Sequence, residues 1–499
     1  LFVVMSLPAI LPSACGRDPF ATPPPPPPEV KQRPAQPIGN FNYLALPDAV
    51  RSEVLRCLVG ELLTYAGFRE VSPEVEKLRI LCSEIRTQID NEVLTLSCDD
   101  VFLGPGCTDL EVRRWEWVLE KVFQKHRWLR YAKLSISKRP CLDALLERSL
   151  LPTGVQCEFA LECELKLGEV RQLLSKFDVQ KLNFAVVADG TGEAEEVPEA
   201  EPVGLFPSMR HLCVRGPVTA PGVQGLIRQC PSLSCLQIVD NKQFAASVVA
   251  GENFSSLSLI GLSSLPDDSF SQIVAQCPNL VSLCISKCRL ARVRICSQKL
   301  ESLAITHCRQ FVDECVSEIV ASTGCPNLRF LDLSGSKGLV HPLIASSSLE
   351  TIRVVHCPQV TDNAITQMFE GCTRLLSVNL LQSTIEIPTF ASHTLEVLEL
   401  ATCQKLTDSA VTQLLRSCDA LKYLDLGHCC QLQEPVFKHH RLEQILLTFC
   451  VNLKEASALM LLEECPQLRY VELAVCMFDM QGFKKKAPDH CEVIVNFGF

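Results

Sequence analysis

Six cysteines stand at near-constant intervals along the chain: Cys230, Cys277, Cys325, Cys372, Cys418 and Cys465, spaced by 47, 48, 47, 46 and 47 residues. Each opens a stretch rich in leucine, as in 325-CPNLRFLDL-333 and 418-CDALKYLDL-426. A period of this size marks one supersecondary unit copied many times. Such a unit cannot bury its apolar face alone and does so against its neighbours, so the chain must stack into a solenoid rather than collapse around a single core.

The period divides in two. The stretch 328-LRFLDL-333 is answered by 349-LETIRV-354, 375-LLSVNL-380 by 395-LEVLEL-400, and 421-LKYLDL-426 by 442-LEQILL-447. Alternating apolar positions predict a strand buried on one face. The longer half of the period then carries 361-TDNAITQMFEGC-372 or 407-TDSAVTQLLRSC-418. There Thr-Asp supplies an N-cap, and apolar residues at i, i+3 and i+4 predict a helix with one buried stripe. The shorter half, such as 334-SGSKGLVHPLIASSS-348, is rich in Gly, Pro and Ser and predicts an irregular connection. Weaker units at 131-YAKLSI-136, 179-VQKLNF-184 and 209-MRHLCV-214 extend the array upstream. A helix over 109–130, with Trp115, Trp117 and Trp128, leads into a first strand at Tyr131, and its tryptophans pack against that first repeat. The whole array comes to about 12 to 14 turns.

Placement explains 13 of the 28 cysteines. Cys418 and its equivalents sit where a helix returns into a strand, a tight corner suited to a small apolar side chain. Cys403, with Cys288, Cys308, Cys357, Cys429, Cys450 and Cys476, closes a strand, where a buried thiol can satisfy a backbone group. Thiols recurring at buried positions imply a reducing compartment, cytoplasm or nucleus. The apolar start LFVVMSLPAILPSAC lacks the basic segment of a secretory signal.

A net charge of −10 speaks against binding nucleic acid through bulk charge, and no apolar run approaches the roughly 20 residues of a membrane span. No nucleotide-binding glycine loop, GxSxG or HExxH is present, so neither catalysis nor a cofactor is expected. His307-Cys308 and His356-Cys357 lie two turns apart, about 10 Å. That is too far to share a zinc ion.

A strand of the LxxLxL type followed by a helix or turn is the leucine-rich repeat, and its α/β solenoid is the expected fold class, with a parallel β-sheet and helices on alternate turns. The fuller pattern, CPxLxxLxLxxCxxLTDxAVxxLLxxC, resembles the cysteine-containing repeats of F-box/leucine-rich-repeat proteins over 205–478. That family carries an F-box before its repeats, a Leu-Pro followed by an amphipathic helix. Here 44-LALPDAVRSEVLRCLVG-60 is similar. The resemblance implies that Leu46, Pro47, Val50, Val54 and Leu58, with Leu81 and Cys82 further on, bind the Skp adaptor of a cullin ubiquitin ligase. The chain then divides into a Pro-rich tail at 1–40, an F-box-like helical module at 41–104 and a repeat domain at 105–499 with an acidic loop at 189–202. The alternative is a protein-interaction scaffold without a ligase link, whose residues 41–104 only cap the solenoid.

The residue between the last two leucines of each strand points away from the core. Successive turns place Asp332, Arg353, Asn379, Glu399, Asp425, Leu446 and Glu472 there, with no large exposed aromatics expected among them. This acidic row is either a solvated face or the surface that takes a target protein with a basic segment.

Overall fold

The fold is that of a computed structural model. The structure describes residues 94–97, parts of 112–120, most of 131–186 and 205–244, and 251–496. The Pro-rich tail, the acidic loop and the F-box-like module, apart from 94–97, lie outside the described residues.

Seventeen described strands form one parallel sheet. The first part runs β1 (Leu94–Ser97), β2 (Tyr131–Ile136), α1 (Arg139–Glu147), β3 (Gln156–Leu165), α2 (Leu167–Lys176) and β4 (Asp178–Val186). Next come β5 (His211–Arg215), α3 (Ala220–Gln229), β6 (Cys235–Val239), β7 (Ser256–Ile260), α4 (Asp267–Ala275), β8 (Ser282–Ser286), β9 (Ser302–Thr306) and α5 (Asp313–Val320). The most regular part follows, with β10 (Phe330–Asp332), β11 (Thr351–Arg353), α6 (Asp362–Gly371), β12 (Ser377–Asn379), β13 (Val397–Glu399), α7 (Asp408–Ser417), β14 (Tyr423–Asp425) and β15 (Gln444–Leu446). It ends with α8 (Glu455–Glu464), β16 (Tyr470–Ala474), α9 (Met480–Lys486) and β17 (Glu492–Asn496).

Each strand pairs with the strands before and after it in sequence, so the sheet grows by one strand per turn. From β7 to β15 helical and irregular connections alternate as the two half-periods require. The alternation stops at β16, where α9 buries Phe483 and covers the last turn. The array is longer than the predicted 12 to 14 turns, because β1, β3 and β17 lack the leucine spacing. β1 pairs with β2, so the sheet starts ahead of Tyr131, and inside the segment assigned to a helical module up to 104. The described residues of 112–120 are helical, and Trp115 and Leu119 are fully buried there, as expected of a helix packed on the first repeats.

Burial alternates along the strands. In β10, Leu331 is 1% exposed while Phe330 and Asp332 on either side are half-buried. The helix faces Val411, Leu414 and Leu415 pack beneath the sheet, also buried. Thr361 and Thr407 cap α6 and α7 through their hydroxyls, which accept from the Ala364 and Ala410 N–H at 3.4 Å. The adjoining aspartates hold neighbouring turns together. The Asp408 carboxylate accepts the N–H groups of Gln433 and Glu434, both at 2.9 Å, and Asp362 accepts those of Glu386 and Ile387. Asp267 and Asp313 repeat this for Ala291/Arg292 and Val340/His341.

Strands β5 to β16 share one further device. Each is followed by a residue with positive φ, a sharp corner that turns the chain out of the sheet. Glycine occupies it at 216, 261 and 335, but Asp240, Lys287, His307, His356, Gln382, Thr402, His428, Phe449 and Val475 adopt it as well, with φ between 53° and 62°. For β-branched Thr402 and Val475 this conformation is costly, and only a fold that leaves no other path enforces it. At most of these corners the next residue drops into the core and donates to a carbonyl of the preceding turn. Cys357 reaches Leu333 O at 3.4 Å, Cys403 reaches Leu380 O at 3.3 Å, Cys429 reaches Leu400 O at 3.3 Å and Cys476 reaches Leu447 O at 3.3 Å. Asn241 and Ser336 make the equivalent bond to Val218 and Ile305. The thiols thus take the place of an amide or hydroxyl as second donors to backbone oxygens that also accept an N–H from their own turn, as Leu380 O does from Ser383 at 3.1 Å and Leu400 O from Cys403 at 3.2 Å.

Candidate functional site

The register brings the predicted row together. Asp332 pairs across to Arg353, Arg353 to Asn379, Asn379 to Glu399, Glu399 to Asp425, Asp425 to Leu446 and Leu446 to Glu472. All seven stand on the sheet face opposite the helices, half-buried or, for Arg353, exposed. Residues up to 140 positions apart in sequence thereby become a line in which each is about 4.8 Å from the next. The adaptor residues Leu46, Pro47, Val50, Val54, Leu58, Leu81 and Cys82 lie outside the described residues.

Part of this row has a structural task. Asp332, Asn379 and Asp425 each accept the N–H two residues ahead, from Ser334 at 2.9 Å, Leu381 at 3.0 Å and Gly427 at 2.9 Å. These bonds brace the strand end just before the left-handed corner. Asn379 also donates to the Glu399 carboxylate. Glu399, Asp425 and Glu472 form no ion pair with lysine or arginine among the described residues, although Arg353 attracts Glu399 and His428 attracts Asp425.

The electrostatics follow from this crowding. Burial and then the charge of Asp425 hold the Glu399 carboxyl above its ordinary range. Burial also raises Asp425, with the Glu472 carboxylate adding to it. The face therefore concentrates negative charge that its own side chains leave largely uncompensated.

The row itself holds no aromatic side chain, but half-buried rings stand beside it. The row beside the acidic one places Phe330, Thr351, Ser377, Val397, Tyr423, Gln444 and Tyr470 in register. Burial first, then Asp425 and Glu399, push the Tyr423 phenol up to about 12. Tyr470 donates its hydroxyl to Glu472 at 3.2 Å. At the rim, the rings of His428 and Phe449 stack at 4.4 Å and 9°. The signal was present in LRF, LKY and LRY: the same alternation, followed two residues earlier along each strand, points these rings to the open side.

Among the described residues, no three His, Cys, Asp or Glu side chains gather to hold a metal. His307, His356 and His428 occupy left-handed corners, which explains why histidine so often precedes the buried cysteine.

Comparison with known proteins adds one family match. Residues 215–322 match the leucine-rich-repeat model of an FBD-associated F-box protein. No curated protein matches the chain. Among solved structures, a chain from the crystal structure of the Rad7 and Elc1 complex in yeast aligns with 85% of this chain and 98% of its own, at 16% identity and a TM-score of 0.37. The chain folds as a leucine-rich-repeat solenoid, and its residues 215–322 are similar to the repeats of an F-box protein.

Proposed function

We propose that this chain is the target-recognition subunit of a Skp–cullin–F-box ubiquitin ligase, acting in the cytoplasm or nucleus and performing no catalysis of its own. The observation that carries this reading is the match of residues 215–322 to the repeats of an F-box protein, in a chain that also carries Leu46-Pro47 and an amphipathic segment ahead of the array. Leu46, Pro47, Val50, Val54 and Leu58, with Leu81 and Cys82, bind the adaptor in this proposal. The open face of β10 to β16 holds a target protein near the ubiquitin-loaded enzyme. The gain is proximity: tethering turns an encounter between separate molecules into one at high effective concentration.

The test is a pull-down of Skp and cullin by the full chain, beside a Leu46→Ala/Pro47→Ala variant whose folding is verified by circular dichroism. Capture by the wild type that disappears in the folded variant supports the ligase reading. Absence of capture by the wild type overturns it and leaves a repeat scaffold.

A further inference from the structure

Three adjacent strands of the open face build a local arrangement that the acidic row alone does not describe. Tyr423 and Asp425 stand on β14, Gln444 and Leu446 on β15, and Tyr470 and Glu472 on β16, in register. The two tyrosines flank Gln444, and the two carboxylates flank Leu446. The result is a small apolar floor with an acid on either side and a ring beside each acid. Neither carboxylate has a lysine or arginine partner among the described residues.

We infer that Tyr423, Asp425, Leu446, Tyr470 and Glu472 form a docking site for an arginine side chain of the target protein. This rests on the target-receptor reading above and narrows its occupant. An arginine stem covers Leu446, while its planar guanidinium faces the two carboxylates and lies against a tyrosine ring. Arginine suits the site better than lysine, because a fork of five donors serves two separated carboxylates and a flat cation stacks on a ring. The same face already holds this contact within the chain, where the Arg353 guanidinium lies 5.5 Å over the Phe330 ring. Arg353 occupies the row position that Leu446 occupies between Asp425 and Glu472. At β11 the chain supplies its own guanidinium; at β15 it places leucine there, and the cation must come from outside.

The test uses the full chain and three fluorescein-labelled Gly/Ser peptides, alike except that each carries two arginines, two lysines or two citrullines. Binding is followed by fluorescence anisotropy across a salt series. The arginine peptide is expected to bind several-fold more tightly than the lysine peptide, and the citrulline peptide not at all. Asp425→Asn/Glu472→Gln should weaken arginine binding about tenfold. Tyr423→Ala/Tyr470→Ala, which leaves the charge unchanged, should abolish the preference for arginine over lysine, and Tyr423→Phe/Tyr470→Phe should retain it. Circular dichroism and a melting curve verify that each variant is folded. Equal binding of arginine and lysine peptides, with no effect of the tyrosine changes, would reduce the site to bulk charge and overturn the inference, as would absence of binding. Capture of Skp is measured on the same variants. Its loss in the wild type overturns the ligase reading alone, while peptide binding decides the site independently.

Discussion

The thiol of Cys450 donates to the carbonyl oxygen of Leu426, 3.1 Å away on the preceding turn of the solenoid. Burial, ahead of the neighbouring thiols, drives its ionisation far above the usual thiol range. A sulfur that is neither exposed nor ionised is inert to alkylation. Iodoacetamide applied to the native protein should therefore modify exposed Cys296 while sparing Cys429 and Cys450, which react only in denaturant. Mass spectrometry of the labelled peptides reads this directly, and native labelling of Cys450 at the rate of Cys296 would contradict the buried ladder. Cys450→Ala should cost about 1–2 kcal/mol through a small cavity and the loss of one of the two hydrogen bonds to Leu426 O, which keeps the one from the Cys429 N–H. Cys450→Ser should cost less, since Ser336 already holds the equivalent position and donates to Ile305.

Asp408 carries a second kind of link between turns. Its carboxylate takes two backbone N–H groups from the following connection. Asp408→Ala removes both acceptors and should lower stability by about 2 kcal/mol, whereas Asp408→Asn keeps one oxygen and should lose roughly half of that. Urea unfolding midpoints distinguish the two. Equal losses would mean that the charge, rather than the two bonds, is what matters.

Gly335 and His307 fit together across adjacent turns. Gly335 has φ +73°, and a Cβ placed there would fall 2.3 Å from the His307 ring. Gly335→Ala combines a left-handed backbone penalty with this clash, and should cost about 2 kcal/mol. His307→Ala in the same molecule should recover part of the loss, because it removes the clash but not the backbone term. A double-mutant cycle by thermal unfolding reads this, and strict additivity would show that the ring moves aside freely.

Glu399 makes stability depend on pH. Its carboxyl is raised in the folded state, so the folded chain holds that proton more readily than the unfolded chain. Its contribution is complete below the unfolded pKa and is lost as pH rises through the folded value. Glu399→Gln should therefore raise the urea midpoint at neutral pH and leave it unchanged below the carboxylate range. Gains of equal size at both pH values would trace the effect to the hydrogen bond from Asn379 instead.

Local pattern alone determined the repeat, its division into two strands, the helix on the longer half, and the row from Asp332 to Glu472. Each depends on side-chain periodicity, which a solenoid preserves because every turn solves the same burial problem. The buried cysteines followed for the same reason, since their position relative to the leucines is constant. Strand β3 escaped because it buries other residues than the leucine spacing specifies; Cys157, Phe159 and Cys163 fill the core along it. The left-handed corners escaped because Asp240, Lys287, Phe449 and Val475 share no chemistry. The path of the backbone imposes that conformation, and no side chain announces it. Tertiary structure also decided which residues meet: Tyr423, Leu446 and Glu472 belong to different turns and become one surface only when the strands stack in register. Hydrogen bonds between strands set that register, and they are indifferent to the side chains they bring together.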